Sequence, residues 1–478
     1  MPHRTLGFRA AIGALNLSLA AACAVGPDYR APPPPATPAA YTAADAGLEA
    51  AAPADRWWDL MNDPVLDGLV RDALADSPDV VAAEARIRQS RALARAAGAS
   101  FLPSVNASGR VSRDKLSRNG ENLALIPFNP PTTQFTDYRI GIDASWEIDL
   151  AGGTRREVEA AVARFGSQTE SRNDARVVVA AEVASAYIEY RVASARAAIA
   201  RRTLATLEET TRLTELQLRA GLASASDLET AQADQLASAE SPGLLEAQRT
   251  AALQRLAALT GRPAAELSPR LDGDGVIPQA PDRTPVGLPS TLLERRPDVR
   301  RAERELAAAT ADVGVAAAAR FPRLTLVGDG GYDSVRTGDL TQAASRYWNL
   351  APQLSLPLFA GGRLKHQHEA AEAARDAALA SYRGTVLRAF ADAESAVVQF
   401  ASDRRYAAGL SAAADRLEAS SALTHTRFAA GDVSKVEVLA AERAANRAAD
   451  QRSQGLGQCA LDFVALQRAL GGGWQQPN

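Results

Sequence analysis

From Tyr138 to Leu150 every second residue is apolar. Tyr138, Ile140, Ile142, Ala144, Trp146, Ile148 and Leu150 alternate with Arg139, Gly141, Asp143, Ser145, Glu147 and Asp149. Side chains on a strand point to opposite faces with a period of two, so this stretch predicts a strand with one apolar and one charged face. Ala151, Gly152 and Gly153 break it, and a long helical pattern begins at Thr154. The same event recurs with Trp348, Leu350, Leu354, Leu356 and Leu358 against Asn349, Gln353 and Ser355, closed by Ala360, Gly361 and Gly362. A shorter alternation precedes each: Val105, Ala107, Gly109 and Val111 against Asn106, Ser108, Arg110 and Ser112, and Leu324, Leu326, Gly328 and Tyr332 against Thr325 and Asp329. The predicted strands therefore cover about 104–112, 138–150, 323–332 and 347–358. Two-faced strands of about ten residues are the unit of a membrane β-barrel, whose smallest members have about eight strands. Four per chain must be shared: two, three or four copies would give about eight, twelve or sixteen, and the pattern does not choose.

The strands belong to a module that occurs twice. Ser77–Gly109 lies over Arg296–Gly328, with Pro78, Glu84 and Pro103 matching Pro297, Glu303 and Pro322, each 219 positions apart. Gly152 matches Gly361 and Gly221 matches Gly431, 209 and 210 positions apart. A near-constant offset over this length is a tandem duplication. Each copy opens with a helix started by Pro78 or Pro297, whose following aspartate suits the helix dipole. Each then has two strands separated by a loop, which runs from Arg113 to about Gln134 in the first copy. A helix from Thr154 to about Ala220, or Arg363 to about Ala430, follows; about 1.5 Å per residue makes each a rod of roughly 100 Å. Such length without internal caps indicates coiled-coil-like packing. Each rod turns at Gly221 or Gly431 and returns to about Leu259 or Leu470. The domain division is thus 1–22 leader, 23–54 arm, 55–261 first copy, 262–289 Pro/Gly-rich linker and 290–472 second copy.

The N-terminus adds a location. Arg4 and Arg9 precede an apolar run from Ala10 to Ala22, the length of a signal peptide and too short to cross a membrane. Small residues lead directly into Cys23, which suits lipoprotein processing with lipid carried on Cys23, although Ala20 stands where leucine is usual. Ala24 is not the aspartate that retains lipoproteins in the inner membrane, which favours the outer one. The following Ala/Pro-rich segment, with Pro32 to Pro35, reads as an extended tether. In a chain of 478 residues the formal charge is −3, which removes a nucleic-acid footprint.

Catalytic chemistry finds no purchase. Cys23 and Cys459 lack metal or redox spacing. His366 and His368 stand two apart, positions that diverge on a helix, so no metal is expected. Gly328–Gly338 superficially resembles a phosphate loop but lacks the required glycine order and leads into a strand. No cofactor and no catalytic residue is expected. At the two turns, Ser224 with Asp227 and Ser434 with Glu437 fit the capping box that starts a return helix. Lys435 reads as a solvated helix residue.

With these residues laid out, the chain resembles the TolC-like outer membrane factor family, in its NodT/OprM-type lipoprotein branch. The resemblance spans Cys23 to about Trp474 and rests on CAVGPDYRAP, on residues 56–80, on residues 288–326 with LLERRPD, on both AlaGlyGly breaks and on both tip glycines. It implies a mixed α+β fold and a homotrimer sharing a twelve-stranded β-barrel above a periplasmic α-helical barrel. It implies a periplasmic adaptor, an inner-membrane RND transporter and outer-membrane lipid as partners. Function would be passive export of small molecules. The resemblance also implies that Asp227 and Glu437, with Asp432 beside the turn, line a periplasmic aperture, where a ring of carboxylates would favour cations. Two positions depart from the family: Phe428 stands where some members have a tyrosine that ties hairpins together, and Ala440 stands where an acid is common. Two alternatives are a type I secretion channel, against which the lipoprotein-like start and LLERRPD argue, and a non-conducting scaffold, which leaves the strands unexplained.

Overall fold

The computed structural model describes residues 24–33, 40–42, 47–117, 133–273 and 276–474. The leader, Cys23 and the middle of the first copy's loop lie outside the described residues. Helices α1 (Pro64–Asp76), α2 (Pro78–Ala99), α3 (Gly153–Arg219), α4 (Ala225–Ala239), α5 (Ser241–Thr260), α6 (Ala264–Leu271), α7 (Pro297–Ala318), α8 (Arg363–Ala429) and α9 (Lys435–Ala469) accompany strands β1 (Ser104–Lys115), β2 (Gln134–Ile148), β3 (Arg323–Ser334) and β4 (Arg346–Ser355). The chain packs as two compact units, and each draws on both copies. The repeat in the sequence is therefore not the unit of packing.

One unit comprises Arg88–Gly166, Glu303–Ala380 and the described residues up to Ala31. It holds an antiparallel sheet in the order β1-β2-β3-β4, with the copies joined by pairing of β2 with β3 from Tyr138↔Ser334 to Ile148↔Leu324. The register puts Val105, Ala144, Trp146, Leu326, Leu350 and Leu354 on one face and Asn106, Asp143, Asp329 and Asn349 on the other. β2 stops at Ile148 rather than Leu150 because Asp149 leaves the ladder: its carboxylate accepts the Arg155 amide at 2.9 Å in the first turn of α3. β4 stops at Ser355 with Pro357 two residues on, a residue that cannot donate to a ladder. The N-terminal arm docks on the first break. Val25 donates to the Ala151 carbonyl at 3.0 Å, and the Arg156 side chain, 5% exposed, donates to Asp28 at 2.6 Å and Glu159 at 2.8 Å.

The other unit comprises the described residues within Pro32–Ile87, Ser167–Ala302 and Ser381–Asn478. Its core gathers Trp57, Leu66, Leu69, Tyr187, Leu256, Phe400 and Phe463, with Trp57 edge-on to Trp58 at 5.7 Å and to Phe463 at 5.9 Å. Asp63 caps α1 through the amides of Val65 and Leu66, and also accepts the Tyr187 hydroxyl at 2.9 Å. Arg191 donates to that hydroxyl and to the Leu271 carbonyl, which ties α3 to α6. Arg296 of LLERRPD is a staple: it forks onto Asp298 and reaches Asp392 and the Ala469 carbonyl at 3.3 Å each.

Two sequence expectations need correction. The linker 262–289 contains α6, with Leu267 and Leu271 fully buried, and Thr284–Pro285 pairs in parallel with Leu48–Glu49 of the arm. Prolines 263 and 269 masked this short helix as loop. The first return is two helices, α4 and α5, broken at Glu240, because Pro242 in the first turn of α5 has no amide to continue α4. The second return, α9, is continuous.

Replacing Asp63 with alanine removes one helix cap and one half-buried hydrogen bond, so Asp63→Ala is expected to destabilise this unit by about 2 kcal/mol. Denaturant unfolding of the detergent-solubilised protein measures it, and an unchanged midpoint would refute the Asp63–Tyr187 link as a stabilising contact.

Candidate aperture at the helix tips and the polar strand face

The two tips are closed by the same backbone geometry. Leu222 donates to the Gln217 carbonyl at 2.8 Å and Gly221 to Leu218 at 3.0 Å; Asp432 donates to Arg427 and Gly431 to Phe428, both at 2.9 Å. These are Schellman closures, which need a left-handed residue after the helix, and Gly221 and Gly431 supply it at φ +72° and +82°. Both capping boxes form as well. Ser224 donates through its amide and hydroxyl to Asp227 at 2.8 and 2.7 Å, and Ser434 donates likewise to Glu437 at 2.8 and 2.9 Å. The Ser224 backbone bond, then its hydroxyl, holds the Asp227 carboxyl below the usual range. Ser434 does the same for Glu437, with Arg427 adding a smaller pull. Both carboxylates are exposed and charged at neutral pH.

Around the second tip the departures from the family pattern take on a geometry. Phe428 offers a ring face, and the half-buried Lys435 ammonium lies 5.8 Å from its centroid, so Lys435 is not simply solvated. Asp432 is exposed beside the turn. Further along the helices, polar contacts join the copies. Arg443 of α9 donates to Asp234 of α4 at 2.8 Å, and Arg196 of α3 donates to Asp450 of α9 at 2.8 Å. His425 and Glu442 meet at 2.8 Å within the second hairpin. Sequence reasoning missed these pairs, since partners such as Arg443 and Asp234 are separated by 209 positions and no local pattern couples them.

The strand breaks follow a similar logic. Gly152, Gly361 and Gly362 have positive φ, whereas Gly153 is already the first residue of α3. On the polar strand face, Asn106, Asp143, Asp329 and Asn349 form one rung across the sheet; Asn106 reaches Asp143 at 3.1 Å and Asn349 reaches Asp329 at 3.2 Å. Arg139 bonds Asp329 at 2.9 Å and the Tyr347 hydroxyl at 2.9 Å, with its guanidinium 4.1 Å from the ring centroid. The Tyr347 hydroxyl sits where a Cβ on Gly141 would be, and the Ile140 carbonyl blocks one on Gly331. Gly331 in the loop-like 328–338 segment thus serves close strand approach. His366 and His368 face separate acids, Glu369 at 2.8 Å and Glu372 at 3.8 Å. No cluster of three or more metal-ligating side chains occurs among the described residues.

A polar sheet face, an apolar sheet face and two long helical hairpins define a channel protomer. The chain belongs to the outer membrane efflux protein family, whose model matches residues 69–262 and 288–472, and within it to the NodT/OprM-type branch. It is 33% identical to the pyoverdine export outer membrane protein OpmQ of Pseudomonas aeruginosa over 96% of this chain and 97% of that one. It is 31% identical to the outer membrane protein OprJ of the same organism, over 100% and 98%. The solved structure of the outer-membrane channel OprN is similar with a TM-score of 0.85 at 32% identity, covering 95% of this chain and 100% of that one. The protein is accordingly an efflux channel component of the outer membrane, with the TolC-like fold.

The depressed carboxyls carry a pH consequence. A group whose folded pKa is lowered adds stability above its unfolded value and loses it on acidification through the folded one. Amide exchange in the first turns of α4 and α9 is expected to accelerate below about pH 4, the ordinary range for carboxyls. In Glu437→Gln, whose amide still caps but does not titrate, exchange at α9 should no longer depend on acid; persistence of that dependence would contradict the assignment.

Proposed function

We propose that three copies of this chain close one barrel and serve as the exit duct of a tripartite efflux system, beside a periplasmic adaptor and an inner-membrane RND transporter. The sheet carries this reading: four strands with one apolar and one polar face, whose outer members β1 and β4 have no strand partner on their free edges among the described residues. Open edges have no place in lipid, since each unpaired amide and carbonyl there costs several kcal/mol. β1 and β4 run antiparallel to each other, so β4 of one copy can pair with β1 of the next, and three copies make a twelve-stranded barrel. The apolar faces meet lipid and the polar faces line water.

Substrates are small molecules moving passively, with energy supplied by the transporter. Cys23 carries the lipid. Its neighbour Ala24 rests against Gly152 at the strand-to-helix break, which supports an anchor at the membrane boundary. Asp227 and Glu437, in addition to capping their helices, line the periplasmic aperture together with Asp432. Binding of the adaptor to splayed tips in preference to closed ones opens the duct by population shift.

Mass measurement together with single-channel recording in planar bilayers tests this reading. A trimer with cation-preferring openings is expected. Asp227→Ala combined with Glu437→Ala should raise conductance and lower cation preference, whereas unchanged values would confine both acids to capping. A folded monomer that never conducts would overturn the duct itself.

A further inference from the structure

The second hairpin carries a feature that neither conduction nor capping uses. Asp462 on α9 is 9% exposed, next to Phe463, whose ring packs against Phe400 of α8 at 5.8 Å, and faces Asp403 on α8. The amide of Gln458 donates to Asp462 Oδ1 at 3.0 Å, and that of Gln399 donates to Asp403 Oδ2 at 2.8 Å. Asp462 Oδ2 is buried and receives no donor from the protein. The nearby cation is committed elsewhere: Arg404 donates to the Asp282 carbonyl at 3.0 Å and stacks on Phe400 at 5.6 Å. Cys459 stays a neutral thiol, its pKa pushed up to about 11 by burial and then by Asp462. Two carboxylates facing each other across a helix contact with no cation between them repel, whereas a carboxylic acid O–H donating to a carboxylate satisfies both.

We propose that Asp462 and Asp403 hold one proton between them and that this carboxyl pair is a proton-responsive fastener between α8 and α9, closed when the proton is present and opened when it leaves. The proton sits on Asp462, the more buried partner, and Asp403 accepts. Burial and the Asp403 carboxylate push the Asp462 pKa up to about 7, while the same hydrogen bond holds Asp403 low. An acid whose folded pKa is raised contributes its stability at low pH and loses it between the unfolded value, about 4, and the folded one. The fastener therefore weakens as pH rises from about 4 to 7, opposite in sign to the tip carboxylates. It lies in the stem of the hairpin that turns at Gly431, so release loosens the stem without touching the tip residues.

The test uses the full-length protein in detergent, comparing thermal unfolding and infrared difference spectra across pH. The wild-type midpoint is expected to fall by a few degrees between about pH 5 and pH 8. A protonated-carboxyl carbonyl band, present at pH 6, should titrate away near 7. Asp462→Asn keeps a donor toward Asp403 and should abolish the band and flatten the midpoint. If Asp462→Asn does not fold, Asp403→Asn serves: its amide donates to the Asp462 carboxylate and should move the band's titration to lower pH. A wild-type protein without the band overturns the proposal, as does Asp462→Asn with the wild-type slope or Asp403→Asn with an unmoved titration.

Discussion

A membrane strand must satisfy its backbone hydrogen bonds within protein, because lipid offers none. That constraint accounts for more of this chain than any single contact. Two strands from each copy are useless alone; joined through β2 and β3 they make a wider sheet whose two outer edges are open among the described residues. Duplication answers part of this requirement, and the proposed three-copy barrel would answer the rest. One glycine of β3 follows from it as well. Gly331 gives the close approach to the Ile140 carbonyl that uninterrupted pairing of the copies demands.

The duplication has not left two equal halves. The arm covers the first strand-to-helix break, with Arg156 gathering Asp28 and Glu159, and Gly26 seated against Gly314. At the second break Leu358 and Phe359, beyond the last paired residue, stand 90% and 91% exposed. One copy thus supplies a docking point for the arm, and the other leaves bare apolar surface. A comparable division holds at the returns, where a proline splits the first and the second runs unbroken into the Arg296 staple.

At the tips, capping and lining are compatible roles for the same carboxylates. A capping box uses serine to hold Asp227 or Glu437 in a fixed place, and the same bonds keep the acid ionised. A charge so held presents a constant field at the turn, which suits an aperture. The copies are tied together further along by Arg443 with Asp234 and Arg196 with Asp450.

Local rules sufficed for the two-faced strands, the glycine breaks, the tip glycines and both capping boxes. Each depends on residues within a few positions of one another, so period and spacing carry the information. The ends of β2 and the helix hidden in the linker depended on competition between neighbours: Asp149 chose a helix amide over the ladder, and Leu267 and Leu271 found a core despite two prolines. Tertiary structure alone decided the partners of distant charges. Arg139 with Asp329, Asp63 with Tyr187 and Asp462 with Asp403 come from segments far apart in the chain. No periodicity records which two faces fold against each other, because an ion pair or a shared proton is set by proximity, and proximity between remote segments exists only once the chain has packed.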